Sequence, residues 1–343
     1  MKLHLLPNSH IDPVWLWDWR EGLQEGLITC RTLLDLMDRN PELAVIRGEA
    51  ALYRHIEDED PTTFRRIRRR VAEGRWDVVG GTGVQMDTNL PATETMIRQY
   101  REGLAYFNRT FDQPIRAGWA ADSFGHSAGL PDILAMVGLR YYAFTRPEAE
   151  VLPIAQPVFH WIGPAGGRVL AYRPPLAAYL TERDEIPRRL DQYREWARTA
   201  RLDNIATFWG LGNHGSGPTQ GQIDAIRAWA EAHPDIRVKI STLHGFFDAL
   251  GREVRRWPRG ALPEFRGELN FVLRGCYTSA AVFKRLFRKA EAQISRAETT
   301  ATVIAAAQGR PPPRLEGCWS DLLFNSFHDI LPGSSIERAY EDQ

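Results

Sequence analysis

Three features are scarce in this 343-residue sequence, and each scarcity narrows the class of protein. The only cysteines, Cys30, Cys276 and Cys318, lie far apart and form no CxxC pair, which argues against a disulfide framework and a cysteine-ligated zinc site. No apolar run approaches the length that spans a membrane. Lysine plus arginine and aspartate plus glutamate both number 43, so no net charge attracts nucleic acid or an acidic surface.

The remaining composition is that of an ordinary globular chain, with 43% hydrophobic and 25% charged residues. This length suits one large domain or two ordinary ones. Very few residues precede the first predicted strand, so we expect no secretory signal and a cytoplasmic location. We expect neither a nucleic-acid nor a membrane partner, and the composition leaves a homo-oligomer open.

The stretch "PNSHIDPVW" near the beginning of the chain places His10 and Asp12 two positions apart, after a hydrophobic run at 3–6 that is typical of a buried strand. Residues i and i+2 of an extended segment point to the same side, so both side chains can converge on one point. An imidazole and a carboxylate at a strand end suit a divalent metal. They equally suit a simple hydrogen-bonded pair or a helix N-cap.

Strand-like and helix-like segments alternate up to about residue 255. Typical strand patterns are "AVIRGE", "RWDVVGG", "IRAGWA", "RYYAFT", "NIATFWG" and "IRVKIST". Typical helix patterns are "GLQEGLITCRTLLDLMDRN", "PTTFRRIRRRVAEG", "TETMIRQYREGLAYFNRTF", "LPDILAMVG", a segment from about Thr219 and "GFFDALGREV". This βαβα order predicts an α/β fold with a mainly parallel sheet, either a barrel or a doubly wound sheet.

The alternation stops at the Pro/Gly-rich connector "RRWPRGALPEFRG". A long Ala-rich helix is predicted at 279–308, and a further helix is predicted to continue from "GCWSDLL" until Pro332. We therefore divide the chain into an α/β domain, residues 1–260, and a helical domain, residues 261–343. Because a helical bundle needs helices to pack on, the second part looks truncated.

Two further side chains extend the N-terminal pair. Asp122 follows a predicted strand, and the carboxyl ends of parallel strands gather site residues, although Asp122 could equally cap the next helix. His328, beside Asp329, lies on the apolar face of the predicted late helix, where a lone histidine is more often a core residue. Together with His10 and Asp12, these residues make a plausible zinc shell of two nitrogens and two oxygens with an open position, whereas magnesium or calcium would favour more oxygen ligands.

A glycine-rich loop, "GLGNHGSGPT", imitates the dinucleotide fingerprint with Gly210, Gly212 and Gly215. The fingerprint requires an acidic residue at the end of the next strand, where this sequence has Ser241, and it belongs to the first βα turn of its domain. A loop that lets a substrate approach the backbone is the better interpretation, with Asn213 and His214 at its tip.

Six ordered motifs together resemble glycoside hydrolase family 38, the zinc-dependent retaining α-mannosidases. The similarity extends over residues 3–335. The motifs are "HIDPVWLW", "GGTGVQMDTNLPATETMIRQ", "AADSFGHSAGLPDIL", "GNHGSGPT", "RGCYTSAAVFKRLFRKAE" and "HDILPGS".

The resemblance implies a (β/α)7-barrel-like catalytic domain followed by the start of an α-helical bundle, with Zn²⁺ as the cofactor and terminal α-mannosides of an oligosaccharide or a small glycoside as substrate. It implies zinc binding by His10, Asp12, Asp122 and His328, with Asp122 as the nucleophile of the glycosyl-enzyme intermediate. The residues expected to contact the substrate are Trp15, Asp87, Asn213, His214, Arg274 and Tyr277. A cation and nearby donors would keep the attacking carboxylate ionised, and zinc could chelate two sugar hydroxyls.

A retaining mechanism also needs a second carboxyl group about 5–5.5 Å from the nucleophile as acid and base. Many relatives have an aspartate in the glycine loop where this sequence has Asn213, and an amide cannot perform that proton transfer. His214, Asp87 and Asp18 are alternative candidates, so the acid/base stays unassigned. The family's usual C-terminal β-sandwich domains are also absent from this sequence.

Two other functions fit parts of the sequence. A zinc-dependent carbohydrate deacetylase would use the His-x-Asp pair to activate a water molecule. A sugar-binding fragment with weak or no catalysis would fit Asn213 and the truncated end. The late histidine of "HDILPGS" favours the glycosidase.

Overall fold

The computed structural model describes residues 1–154, 156–176, 179–199, 202–212, 215, 217–270, 272–313 and 315–343. Its strands are β1 (Lys2–Pro7), β2 (Val45–Arg47), β3 (Trp76–Val78), β4 (Ala117–Ala120), β5 (Tyr141–Phe144), β6 (Val158–Ile162), β7 (Arg168–Tyr172), β8 (Asn204–Trp209), β9 (Arg237–Ile240) and β10 (Glu264–Arg266). Its α-helices are α1 (Trp19–Arg39), α2 (Ala50–Glu59), α3 (Pro61–Ala72), α4 (Thr93–Thr110), α5 (Leu130–Met136), α6 (Ile186–Thr199), α7 (Gln220–Ala232), α8 (Leu243–Val254), α9 (Ala281–Ala307) and α10 (Glu316–Asn325). No described helix is both long and apolar enough to cross a membrane.

The strands of the described residues form three sheets. β1 lies between β8 and β9, and both pairs are parallel. β2 and β3 form a second parallel pair. The third sheet has the order β10-β6-β7-β5-β4, in which β6 and β7 are antiparallel and the other pairs are parallel. The predicted α/β fold with mainly parallel strands is therefore confirmed, whereas its closure into a barrel stays a prediction.

Single backbone contacts join the sheets into one succession of strands. Asn8, just after β1, forms a parallel bridge with Ile46 of β2. Gly80, just after β3, donates a hydrogen bond of 2.9 Å to the backbone oxygen of Ala117 in β4. Because β1, β2 and β3 run parallel, the segments that follow these three strands emerge at one edge of the succession.

Apolar faces of the helices cover these strands. In α1, the side chains of Leu23, Leu27, Leu34 and Met37 repeat at helical spacing and are buried in the main core. Asp18 begins this helix by accepting hydrogen bonds from two backbone amides of its first turn. The observed helix matches the predicted one to within three residues at its start.

The last part of the chain packs against the first. Phe287 of α9 and Trp319 of α10 belong to a separate apolar cluster, and Arg98 of α4 forms a two-point ion pair with Glu298 of α9 at 2.7 and 3.0 Å. The predicted helix through Pro332 is wrong in its extent, because α10 ends at Asn325. The domain division at 260/261 and the helical bundle stay predictions.

Candidate active site

His10 and Asp12 lie in the irregular segment that follows β1, and both are at most 3% exposed. Nε2 of His10 lies 2.8 Å from Oδ1 of Asp12. Burial raises the pKa of the Asp12 carboxyl, but the imidazoles of His10 and His328 more than offset this, so its pKa lies well below the usual range. The geometry thus provides an ionised carboxylate in contact with two histidines.

His328 reaches this pair from the other end of the chain. It lies in turns beyond α10, not on a helix as predicted, because the backbone there pairs with the segment that follows β3: Phe327 bridges Met86. Nδ1 of His328 donates to the backbone oxygen of Gln85 at 2.8 Å. Its Nε2 lies 3.4 Å from Oδ1 of Asp12.

The charges around His328 favour a cation at this point. Burial lowers the pKa of its imidazole, but the neighbouring carboxylates of Asp12 and Asp329 raise it to about 9. Oδ2 of Asp329 lies 3.9 Å from Nε2 of His328. Burial and the nearby charge of Asp12 hold the pKa of the Asp329 carboxyl well above its ordinary value. The acidic groups around His328 therefore repel each other, and a cation between them would relieve this repulsion.

Asp122 follows β4 and completes the cluster. Its carboxylate is 6% exposed and accepts a hydrogen bond from Nε of Arg146, a residue that follows β5. Ligand atoms of His10, Asp122 and His328 all lie within 4.8 Å of one another. Three residues that are remote in the sequence therefore meet in one buried group.

The residues present fit a metal ion. The four predicted ligands and Asp329 fall into two overlapping groups, His10 with Asp122 and His328, and Asp12 with His328 and Asp329. Within the part of the chain that the structure describes, Nδ1 of His10 and Nε2 of His328 are buried without a hydrogen-bond partner. The Gln85 carbonyl holds Nδ1 of His328, which leaves Nε2 as the ligand atom, as metal-binding histidines require.

Asp87 lies beside this cluster but is fully buried. Its Oδ1 accepts from the hydroxyl of Tyr277 at 2.7 Å, and its Oδ2 accepts from the backbone amides of Asn89 and Leu90 at 3.0 and 2.6 Å. Burial raises the pKa of this carboxyl, and these donors counteract the increase. Asp87 and Tyr277, both expected to contact substrate, contact each other here, and Arg274 is exposed at the start of the same short helical turn as Tyr277.

Trp15 is a further predicted substrate contact. Trp15 is half-buried and packs edge-on against Trp17 with ring centroids 5.8 Å apart. Asn213 and His214 lie outside the described residues. Asp18, an acid/base candidate, caps α1 and also accepts from Arg338 at 3.0 Å, so its carboxylate has a structural role.

The sequence interpretation missed Arg146 and Tyr179. The strand-end rule could have found Arg146, because it closely follows β5. Tyr179 lies in an irregular segment without a local signal; its ring lies 5.3 Å from that of His10. Burial and the carboxylates of Asp122 and Asp12 raise the pKa of the Tyr179 hydroxyl, which marks it as a neutral donor at the cluster.

Comparison with known families agrees with this geometry. Residues 1–268 match the glycosyl hydrolases family 38 N-terminal domain, and residues 272–343 match the alpha mannosidase middle domain. The chain belongs to glycosyl hydrolase family 38.

Individual relatives show the same family 38 similarity over nearly the whole chain. Alpha-mannosidase 2C1 of Homo sapiens is 30% identical over 347 residues, which cover 99% of this chain and 33% of the human protein. Alpha-mannosidase G of Dictyostelium discoideum is 30% identical, over 98% of this chain and 30% of that protein. The chain thus spans about a third of the length of these curated relatives.

A solved structure of similar fold supports the architecture. The crystal structure of an alpha-mannosidase from Enterococcus faecalis superposes with a TM-score of 0.85 at 19% identity, and the match covers 99% of this chain and 40% of that one. At this identity the likeness speaks for the fold alone.

Proposed function

We propose that this chain is the catalytic part of a retaining glycosidase that cleaves terminal α-mannosides. Membership of family 38 supports the reaction class. The observation that carries the proposal is the buried meeting of Asp122 with His10 and His328, which come from different ends of the sequence. The substrate would be a mannose-containing oligosaccharide or a small α-mannoside.

Asp122 is the proposed nucleophile. Its carboxylate attacks the anomeric carbon, the bond to the leaving oxygen breaks, and water then releases the sugar from the resulting ester. Arg146 holds Asp122 through Nε and is itself held by Glu148 at 3.1 Å. This chain of ion pairs fixes the direction of the Asp122 oxygens.

Zinc is the proposed cofactor, held by His10, Asp12, Asp122 and His328. When bound, it would supply Lewis-acid stabilisation and orient sugar hydroxyls. Two imidazole nitrogens and two carboxylates are a donor set that zinc accepts. Asp329 is a further carboxylate within reach of His328.

The remaining expected roles belong to the same proposal. Trp15 would pack on the sugar, and Asp87, Arg274 and Tyr277 would line the pocket together with Asn213 and His214. The acid/base stays unassigned. For the fold, we also propose the barrel, the helical bundle and the domain division at 260/261. For the protein as a whole, we propose a cytoplasmic location and neither a nucleic-acid nor a membrane partner, and we leave a homo-oligomer open.

The decisive experiment compares Asp122→Asn with the unaltered chain on an aryl α-mannoside. We expect turnover to fall by about 10³-fold or more, because the amide cannot form the covalent intermediate. Asp132→Asn is the matched control, since the Asp132 carboxylate also accepts hydrogen bonds, but from the backbone of Ala165 and Gly167 in the β6–β7 turn. Undiminished turnover in Asp122→Asn contradicts the nucleophile assignment.

Two assays separate the alternatives. Release of acetate from an N-acetylated oligosaccharide would identify a deacetylase. Calorimetric binding of mannose without any product would identify a sugar-binding fragment.

A further inference from the structure

A short segment between the nucleophile and the late histidine touches both sides of the candidate site. This segment, residues 85–88, follows β3. On one side, the backbone amide of Ala121 donates to Oε1 of Gln85 at 2.9 Å, and the hydroxyl of Ser123 donates to the backbone oxygen of Met86 at 3.2 Å. Because Ala121 and Ser123 flank Asp122, these two bonds fix the backbone on both sides of the nucleophile.

The other side of the segment holds His328. Both Nδ1 and the backbone amide of His328 donate to the backbone oxygen of Gln85, at 2.8 and 3.2 Å. An antiparallel bridge between Met86 and Phe327 continues the contact. Gln85 is thus bonded to the histidine through its main chain and to the Asp122 strand end through its side chain.

The side chain of Gln85 is fixed at both of its polar atoms. It is 6% exposed, and its Nε2 donates to Oε1 of Glu49 at 2.5 Å while Oε1 accepts from Ala121. Glu49 is itself 8% exposed and has a backbone φ of 61°, an unusual value for a residue other than glycine. An amide held at both ends sets a defined distance between the backbone at 121 and the backbone at 85.

We propose that Gln85 is a positioning residue that sets the spacing between the Asp122 carboxylate and the His328 imidazole. The inference rests on the proposed function, in which Asp122 and His328 bind the same metal ion. The distance between these two side chains then decides whether both can reach that ion. Metal–ligand distances tolerate changes of only about 0.2 Å, and these ligands come from distant parts of the chain. The two ligand-bearing segments must therefore be held at a fixed distance from each other. Gln85 forms hydrogen bonds with both segments.

The first test is Gln85→Met, which keeps the length of the side chain but leaves the Ala121 amide and Glu49 without their partner. We expect affinity for Zn²⁺, measured by competition with a chromophoric chelator, to fall by about 10- to 100-fold, as loss of an outer-shell partner does. The absorption bands of bound Co²⁺ should shift or broaden, because the ligand geometry becomes less uniform. A purely structural role would lower stability and leave the Co²⁺ bands of the folded protein unchanged.

A double variant separates positioning from loss of folding. In Gln85→Glu, the new carboxylate still accepts from the Ala121 amide, but its other oxygen faces the Glu49 carboxylate. In the double variant Gln85→Glu/Glu49→Gln, the amide at position 49 donates to the carboxylate at position 85, so the hydrogen bond is restored in the opposite direction. We expect the single variant to bind Zn²⁺ more weakly and the double variant to return to within about twofold of the unaltered chain. Comparison of the single and double variants tests the positioning role even if Gln85→Met does not fold.

The matched control is Asn40→Leu. Asn40 is another buried amide, and it donates to the backbone of Leu36 and to Gln220 at the far end of α1, a 21-residue helix that is about 30 Å long. This variant should lose stability but keep the Zn²⁺ affinity and the Co²⁺ bands. Unchanged affinity in folded Gln85→Met, or equal affinity in Gln85→Glu and the double variant, overturns the positioning role. Failure of the unaltered chain to bind Zn²⁺ overturns the proposed metal site itself and is seen before any variant is made.

Discussion

Nδ1 of His328 donates a hydrogen bond to the backbone oxygen of Gln85 at 2.8 Å, although 243 positions separate the two residues. This bond keeps a hydrogen on Nδ1, so Nε2, which faces Asp12, is the ring nitrogen that a metal ion would bind. The last segment of the chain is therefore docked on the α/β part by the same bond that prepares a metal ligand.

The first prediction concerns metal content. His328→Ala removes Nε2 from the proposed set of four ligands. The remaining three, His10, Asp12 and Asp122, include one histidine nitrogen and hold Zn²⁺ less tightly. We expect the purified variant to contain well under one equivalent of zinc by elemental analysis, while the unaltered chain contains about one.

His233→Ala controls for the loss of a histidine. His233 ends α7, and its Nδ1 contacts only the backbone oxygen of Trp229 among the hydrogen bonds described. Its zinc content should equal that of the unaltered chain. A full equivalent of zinc in His328→Ala would exclude His328 as a ligand.

The second prediction concerns the ion pair that holds the proposed nucleophile. Arg146→Met removes the guanidinium from Asp122 and leaves the buried carboxylate without its charged donor. We expect kcat/KM on an aryl α-mannoside to fall by about 10²-fold, a loss of about 2.7 kcal/mol of transition-state stabilisation.

Glu148→Gln is the companion variant, because Glu148 contacts Nη1 of Arg146 but has no contact with Asp122 among the ion pairs described. Its effect on kcat/KM should be small. Equal losses in both variants would indicate that the local fold is disturbed, contrary to a specific role for the Arg146–Asp122 pair.

Much of the α/β part could be predicted from the sequence because its signals are local. The helix expected from about Thr219 starts with a complete capping box formed by Thr219 and Gln222. In contrast, β10 consists of three residues with alternating exposure in a Pro/Gly-rich stretch. It is a strand because β6 pairs with it, and such pairing is a tertiary contact that no local pattern encodes.

The candidate site shows the same division. The strand-end rule places Asp12 and Asp122 at one edge of the succession of strands, and the structure brings them to the same cluster. No such rule predicts the position of His328, because the apolar residues around it suggest that the helix continues. The observed turns depend on backbone pairing with residues 85–87, which lie far away in the sequence. From sequence, His328 joined the site because the N-terminal pair and Asp122 lacked a further nitrogen ligand, and because the chain resembles a known family.

The third prediction concerns the contact between α9 and the α/β part. Glu291 of α9 is 5% exposed, and its Oε1 accepts from the backbone amide of Ala92 at 2.8 Å and from the hydroxyl of Thr95 at 2.6 Å. The N-cap residue Ala92 offers α4 no side-chain cap, so Glu291 performs this function from another helix. Glu291→Ala should lower the free energy of unfolding by about 2–4 kcal/mol in urea denaturation.

Arg288→Ala is the control for this contact, because Arg288 is exposed and pairs only with Oε2 of Glu291 among the ion pairs described. Its free energy of unfolding should change by less than about 1 kcal/mol. A similarly small change in Glu291→Ala would show that α9 contributes little to holding the α/β part.

The last prediction is a dependence of stability on pH that originates at His126. This ring is fully buried; Tyr142 and the backbone oxygen of Arg146 contact its nitrogens at 3.0 Å, and Phe144 and Trp161 pack against it. Burial lowers its pKa from 6.5 to about 4, partly opposed by the Arg146 contact.

Between these two pKa values the unfolded chain binds a proton at His126 and the folded chain does not, so lowering the pH favours unfolding. Stability is complete above about pH 6.5, and this group alone removes about 2 kcal/mol by pH 5. His126→Gln should therefore be less stable than the unaltered chain near neutral pH, because it disturbs the packed ring, yet lose less stability on acidification. Urea denaturation at about pH 7.5 and about pH 5 measures both values. Equal losses between the two pH values in variant and unaltered chain would assign the acid sensitivity to other groups, of which His4, whose pKa burial also lowers to about 4, is the first to test.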